Sequence, residues 1–170
     1  MNWLIAAGCV ILAISGLVAF VGLQLPRQHV VSRSRRFNVP VDAAWDVISD
    51  VLGAASWRTD LKAVESVDLD HWRDVPVKGR AILYKRVEAH APWRLVIRIA
   101  DRSLPYTGSW KLELSEDGKN AVWLTITENG EVANPILRLL SKYVFDQAKS
   151  IDQYLDALET KLAARNNLHS

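Results

Sequence analysis

Apolar and polar residues alternate with a period of two through much of the chain, then change near its end to a period of three or four. The change is sharpest at Ala121-Val122-Trp123-Leu124-Thr125-Ile126-Thr127-Glu128, a strand-like run that stops at Asn129-Gly130 before Asn134-Pro135 opens a helix. From Leu137 the apolar positions fall at Leu140, Val144, Ala148, Ile151, Leu155, Leu158 and Leu162, one stripe on a helix running almost to the end of the chain. Asn134 is placed to cap that helix, with Pro135 at its first position. Upstream, the pattern predicts a strand over 29–39, a helix begun by Asp42 and ended by Gly53, and a second short helix over 54–59. Strands over 63–69, 78–89, 93–101, 107–115 and 121–132 follow, separated by turn-like pieces at 74–76, 91–92, 104–105 and 116–119. Alternation puts Trp93, Leu95, Ile97 and Ile99 on one face, as it does Trp110, Leu112 and Leu114, and Val122, Leu124 and Ile126. Those faces should meet the terminal helix, and the space between a curved sheet and a long helix is a natural pocket for an apolar ligand.

The amino terminus breaks this pattern. Residues 3–25 contain no charged side chain, and as a helix rising about 1.5 Å per residue they would span the roughly 30 Å hydrocarbon core of a bilayer. No basic residue precedes the run, unlike a secretory signal, so residues 1–26 are expected to be a single transmembrane anchor and residues 27–170 a folded domain. The formal net charge of +2 is unevenly spread: Arg27, Arg33, Arg35 and Arg36 follow the apolar run with no acid before Asp42, and the rest of the chain is slightly acidic. Basic residues beside an anchor favour the cytoplasmic side, which makes a membrane surface an expected partner and places the domain in the cytoplasm. Arg33 and Arg35 would also share one face of the first strand. A basic cluster this short disfavours nucleic acid, and one cysteine excludes an intramolecular disulfide.

Four local motifs sit on this framework: Phe37-Asn38-Val39-Pro40-Val41-Asp42-Ala43-Ala44-Trp45, Trp57-Arg58-Thr59-Asp60-Leu61-Lys62-Ala63-Val64-Glu65, Leu104-Pro105-Tyr106-Thr107-Gly108-Ser109-Trp110, and Thr127-Glu128-Asn129-Gly130-Glu131-Val132 leading into Asn134-Pro135. With the element order, they resemble the SRPBCC superfamily, which is START-like and includes proteins labelled polyketide cyclase/dehydrase. The resemblance covers essentially all of residues 29–162. It implies an α+β helix-grip fold, an antiparallel curved sheet wrapped on a long C-terminal helix, here preceded by one transmembrane helix. The superfamily holds lipid carriers, hormone-binding proteins and cyclases, so the activity must be argued from the site. One departure stands at the pocket mouth: Tyr106-Thr107-Gly108 replaces Phe-Gly-Gly.

The seven tryptophans are a heavy aromatic load. An aromatic ring supplies apolar area and, in Trp or Tyr, one polar tip that orients a ligand, although each is first a core residue. The expected ligand-binding residues are Trp57, Arg58, Tyr106, Trp110, Leu112, Leu124 and Glu128. Glu128 becomes a general base if buried beside the cavity, since desolvation raises its pKa; its plain role is to accept hydrogen bonds near the helix start. Arg58 and Asp60 either bind an anionic head or form an exposed ion pair. His29, His71, His90 and His169 are scattered, and the stretch 68–74 lacks the glycine and final glutamate of a calcium loop, so it reads as a solvated loop and neither metal nor cofactor is expected. These residues lead to binding of a hydrophobic small molecule or lipid by a membrane-tethered domain. The alternatives are a polyketide cyclase or dehydratase, for which no catalytic residue is assignable from sequence, and a non-catalytic interaction module whose interior is filled.

Overall fold

The computed structural model describes residues 20–138 and 147–166, with residues 3, 6–8 and 15–16 of the amino-terminal stretch. Seven strands form one antiparallel sheet: β1 (Gln28–Phe37), β2 (Leu61–Ser66), β3 (His71–Pro76), β4 (Ile82–His90), β5 (Arg94–Ile99), β6 (Tyr106–Glu116) and β7 (Val122–Val132). Their spatial order is β1-β7-β6-β5-β4-β3-β2, so each strand from β2 onward lies beside its neighbour in the chain, while β1 crosses to pair with β7. Helix α1 (Val41–Ser49) and a 3-10 turn (Leu52–Ser56) connect β1 to β2, and helix α2 (Gln147–Asn166) packs on the inner face of the curved sheet. Irregularities at Leu61/Ala63 and Arg86/Glu88 add bends of the kind that curve a sheet. The helix-grip order read from the sequence is therefore present.

The strand faces behave largely as their alternation predicts. Val122, Leu124 and Ile126 from β7 and Leu112 and Leu114 from β6 are buried against Ile151, Leu155, Leu158 and Leu162 of α2. Phe37 ends β1 in the same core, and Ala44, Val47 and Ile48 bring α1 onto it. Trp93 departs from its set, because it lies in the turn before β5 and is exposed. Asp42 sits in the first turn of α1 rather than at the cap, which Pro40 occupies. An acidic side chain in the first turn is favoured by the positive end of the helix dipole. Asn134 caps as expected, its side-chain oxygen accepting from the N–H groups of Ile136 (2.9 Å) and Leu137 (3.2 Å).

The stretch 68–74 is corrected by the structure. Only its start is a loop: the Asp68 carboxylate accepts from the backbone N–H groups of Asp70 and His71, forming a turn between β2 and β3. Trp72 and Asp74 then point inward from β3 and are buried. Apart from Asp74, the charged residues of this stretch belong to the outer face of a paired strand and to its turn, a distribution that resembles a loop when the chain is read alone.

The anchor expected over 1–26 falls largely outside the described residues; among those described, 3, 6–8, 15–16 and 20–24 are helical, and no helix is long and apolar enough to cross a membrane. Leu140 and Val144 of the expected stripe are also outside them. The arginines after residue 26 are mostly engaged within the domain. Arg33 meets Asp152 at 3.6 Å, Arg35 bridges Asp156 (2.6 Å) and Glu159 (3.2 Å) on α2, and Arg36 pairs with Asp117. Among the described residues Arg27 is the one of the four without such a pair.

The wholly buried Leu158 and the fully solvated Leu69 give a direct test of where stability resides. Leu158→Ala should cost about 2–5 kcal/mol in denaturant unfolding, because it opens a cavity under α2. Leu69→Ser should stay within about 0.5 kcal/mol.

Candidate functional site

The inner face of the sheet has two halves. At the end where β6 finishes and β7 starts, α1 and α2 together close the interior. At the other end, where β6 starts and β7 finishes, the same strand faces line a cavity of about 720 Å³ between the sheet and the first turns of α2. Its apolar wall comes from Ile82, Ile97, Ile99 and Val132, with Tyr84, Tyr106, Trp110 and Tyr154 adding aromatic rings.

The rings are held by one another. Tyr154 projects from α2 and meets Trp57 edge-on at 5.2 Å and Trp110 edge-on at 5.5 Å; Trp72 stacks on Tyr84 at 6.1 Å. Such pairs fix ring orientation as well as supplying area. Burial, the leading cause in each, pushes the Tyr84 and Tyr154 hydroxyls well above their ordinary pKa, so both remain neutral donors at physiological pH.

Two polar groups stand in this apolar setting. The first is Arg58, which follows the 3-10 turn and is positioned by its backbone N–H on the Ala54 carbonyl. Its guanidinium grips Asp60 through Nε (3.2 Å) and Nη2 (2.6 Å), reaches Asp74 through Nη1 (3.2 Å), and lies 5.7 Å from the centre of the Tyr154 ring. Burial alone would weaken the Arg58 charge, but Asp60 and Asp74 outweigh it and its pKa is raised. Asp74 is also pushed up, by burial, with Arg58 opposing. With its donors turned to two carboxylates, Arg58 is a poor receptor for an anionic head group.

The second group is Glu128 with His29 and Trp110. Alternation along β7 turns Glu128 inward with Ile126 and Leu124, and Trp110 lies directly opposite it on β6. The Trp110 indole donates to Glu128 Oε2 at 2.9 Å, while His29 Nε2 stands 3.7 Å from Oε1, beyond hydrogen-bond reach and without another partner among the described residues. His29 pairs with Gly130 across β1 and β7, and its ring occupies the space a Cβ at Gly130 would need. Burial raises the Glu128 pKa, with the Trp110 bond and the nearby His29 working against that shift. One carboxylate oxygen thus faces an apolar cavity with a titratable ring beside it, an arrangement able to accept a proton from a bound molecule.

Of the residues expected from sequence, Arg58, Tyr106, Trp110 and Glu128 line the cavity. Leu112 and Leu124 do not; they lie further along the same strands, in the closed core. Trp57 supports Tyr154 from behind and faces a smaller groove instead. Sequence reasoning missed His29, Asp74, Tyr84 and Tyr154. Tyr154 could have been found, since it falls three residues after Ile151 on the buried stripe; Asp74 was hidden by the loop reading of its strand. Among the described residues no three His, Cys, Asp or Glu side chains gather as a metal site would require.

Residues 28–163 match the family described as "Polyketide cyclase / dehydrase and lipid transport". Among solved structures, the chain is similar to a norcoclaurine synthase from Thalictrum flavum, a point mutant in complex with a transition-state analogue. The TM-score is 0.68 at 10% identity, over 82% of this chain and 96% of that one. It is similar to a START superfamily protein from Mycobacterium smegmatis, with TM-score 0.65 at 12% identity over 80% and 98%. It also resembles the Zhui aromatase/cyclase from Streptomyces sp. R1128, with TM-score 0.61 at 16% identity over 81% and 95%. At these identities the likeness is one of fold. No curated protein matches the chain. The match across residues 28–163, carried on a curved sheet with an inward-facing cavity, leads to one conclusion: the chain belongs to the polyketide cyclase/dehydrase and lipid transport family.

Proposed function

We propose that this protein binds a hydrophobic small molecule or lipid in the cavity between its sheet and α2. The observation that carries the reading is the cavity itself: about 720 Å³, walled by aliphatic and aromatic side chains, with a few polar groups at fixed positions. An interaction module with a filled interior fits this space poorly. Because the Arg58 charge is already answered by Asp60 and Asp74, a ligand with a neutral polar end fits better than one with an anionic head.

Solvent extraction of the native protein followed by mass spectrometry should yield a stoichiometric apolar compound. Ile99→Trp, which sets an indole into the cavity, should weaken binding of an apolar fluorescent probe by at least about tenfold while the circular dichroism spectrum is kept. A folded protein that yields no compound and binds no probe refutes the reading.

A second reading, an enzyme of the cyclase or dehydratase kind, is favoured by one observation, the half-buried Glu128 with one oxygen on Trp110 and the other beside His29 at the cavity wall. The role assigned to Glu128 has a pH signature. The folded protein holds the Glu128 proton more tightly than the unfolded chain, whose glutamates titrate near 4.5, so this residue makes stability fall as pH rises from 4.5 through the raised folded value. Glu128→Gln keeps an acceptor for Trp110 and removes the titration. Its thermal midpoint should gain on the wild type with rising pH and lose that gain below about pH 4.5; a constant offset across this window would place Glu128 in a water-like setting and count against catalysis.

We also propose that the domain is tethered to a membrane, on its cytoplasmic side. The support lies in the uncharged run 3–25 and in Arg27, which follows it. The full chain should stay with membranes through alkaline carbonate washing, and removal of residues 1–26 should release it. Recovery of the full chain in the wash would end this proposal.

A further inference from the structure

The end of the amino-terminal segment is bound to the rim of the cavity, and the bond is made by a buried arginine. Residues 20–24 form a helical turn that leads through Leu25, Pro26 and Arg27 into β1. The Leu25 N–H reaches the Gly22 carbonyl only at 3.4 Å, and the carbonyls at the end of such a turn are short of donors. Arg138, 5% exposed, donates through Nη1 to the carbonyls of Gly22 and Leu25, both at 3.3 Å. The same guanidinium donates through Nε to the Val132 carbonyl (2.8 Å) and through Nη2 to that of Ala133 (2.6 Å). One side chain therefore joins the segment before β1 to the end of β7.

Close packing reinforces this joint. A Cβ at Gly22 would collide with the backbone of Pro135, so the segment crosses the start of the 135–138 helical turn in direct contact. The Val132 N–H donates to the Arg27 carbonyl at 2.9 Å. Val132 itself lines the cavity and pairs with Tyr106 across β6 and β7. Tyr106 and Thr107 are exposed lining residues, and so are Lys149, Ser150 and Gln153 on the facing turns of α2, which makes this the open end of the cavity. Exposed apolar side chains surround the joint: Phe20, Leu23 (60% exposed), Tyr106 and Ile136 (45% exposed). In water these are a cost, whereas at a lipid interface they are favourable.

We infer that Arg138 is a positioning residue that holds the cavity mouth, at Tyr106 and Thr107, against the surface of the bilayer that the uncharged amino-terminal run enters ahead of Gly22, so that the ligand is a membrane-partitioned molecule exchanged directly with the lipid. The inference rests on the tether proposed above. A flexible linker would keep the pocket near the bilayer but let its mouth face any direction; this joint sets the direction.

The test uses the full chain reconstituted in phosphatidylcholine vesicles, with Cys9→Ser and a single environment-sensitive fluorophore on either Thr107→Cys or Leu69→Cys. The strand registers put Leu69, between β2 and β3, at the end of the sheet away from Tyr106. Lipids brominated on their acyl chains should quench the Thr107 label and leave the Leu69 label unchanged. Arg138→Lys keeps the charge but loses the fork, and should reduce Thr107 quenching by about half while vesicle pelleting stays complete. Equal quenching at both positions, or none at either, in protein that pellets with the vesicles overturns the inference and leaves the tether standing. Undiminished quenching in a folded Arg138→Lys variant removes the role of Arg138. Protein that does not pellet removes the tether, and the inference with it.

Discussion

Everything in this molecule depends on how far the α2 stripe reaches along the concave face of the sheet. Ile151, Leu155, Leu158 and Leu162 are removed from water in one cluster with residues of β1, β6 and β7, and this burial ties the helix to the sheet. Helix α1 adds Ala44, Val47 and Ile48 at the same end. The other end of the sheet has no second helix among the described residues to fill it, so the same inward faces change from core to cavity wall along single strands. On β6 the change falls between Leu112 and Trp110; on β7 it falls between Ile126 and Glu128.

That division explains the chemistry of the polar groups. A carboxylate or guanidinium within an apolar wall is costly unless it is paired, and both clusters here are partly compensated. Arg58 answers Asp60 and Asp74 and is braced by the Tyr154 ring. Glu128 is compensated on one oxygen by Trp110 and left open on the other, where His29 approaches without bonding. The first cluster is closed and structural in its geometry. The second has unused hydrogen-bonding capacity facing the space where a ligand would lie, and it is the place to look for any reaction.

The edges of the sheet are managed by charge. Arg33 and Arg35 lie on the inner face of β1 with Val31 and Phe37, but near the edge they reach past the core to acids on the flank of α2. These partly exposed pairs contribute modestly to stability; what they set is the lateral position of the helix over the sheet. Three arginines that read in sequence as a juxtamembrane cluster are thus mostly committed inside the domain, which leaves Arg27 and the apolar collar near Arg138 as the features that face outward at the amino-terminal end of the domain.

Most of the architecture was legible in the chain by itself, because period-two and period-three-to-four patterns report backbone geometry directly. They placed the helix cap at Asn134, the inward faces of β5 to β7 and the terminal stripe, and with the local motifs they carried the resemblance that the family match bears out. Sequence also singled out Arg58, Tyr106, Trp110 and Glu128, which the fold gathers around one cavity. It could not separate Leu112 and Leu124 from that set: alternation names a face, whereas the point along a strand at which packing stops and space begins depends on where α1 and α2 come to rest. β3 was missed because its outer face and its turn are charged, and its strand character depends on hydrogen bonds to β2 and β4. His29, Asp74, Tyr84 and Tyr154 come from strands and a helix far apart in the chain, so only the tertiary structure could decide that they share a wall.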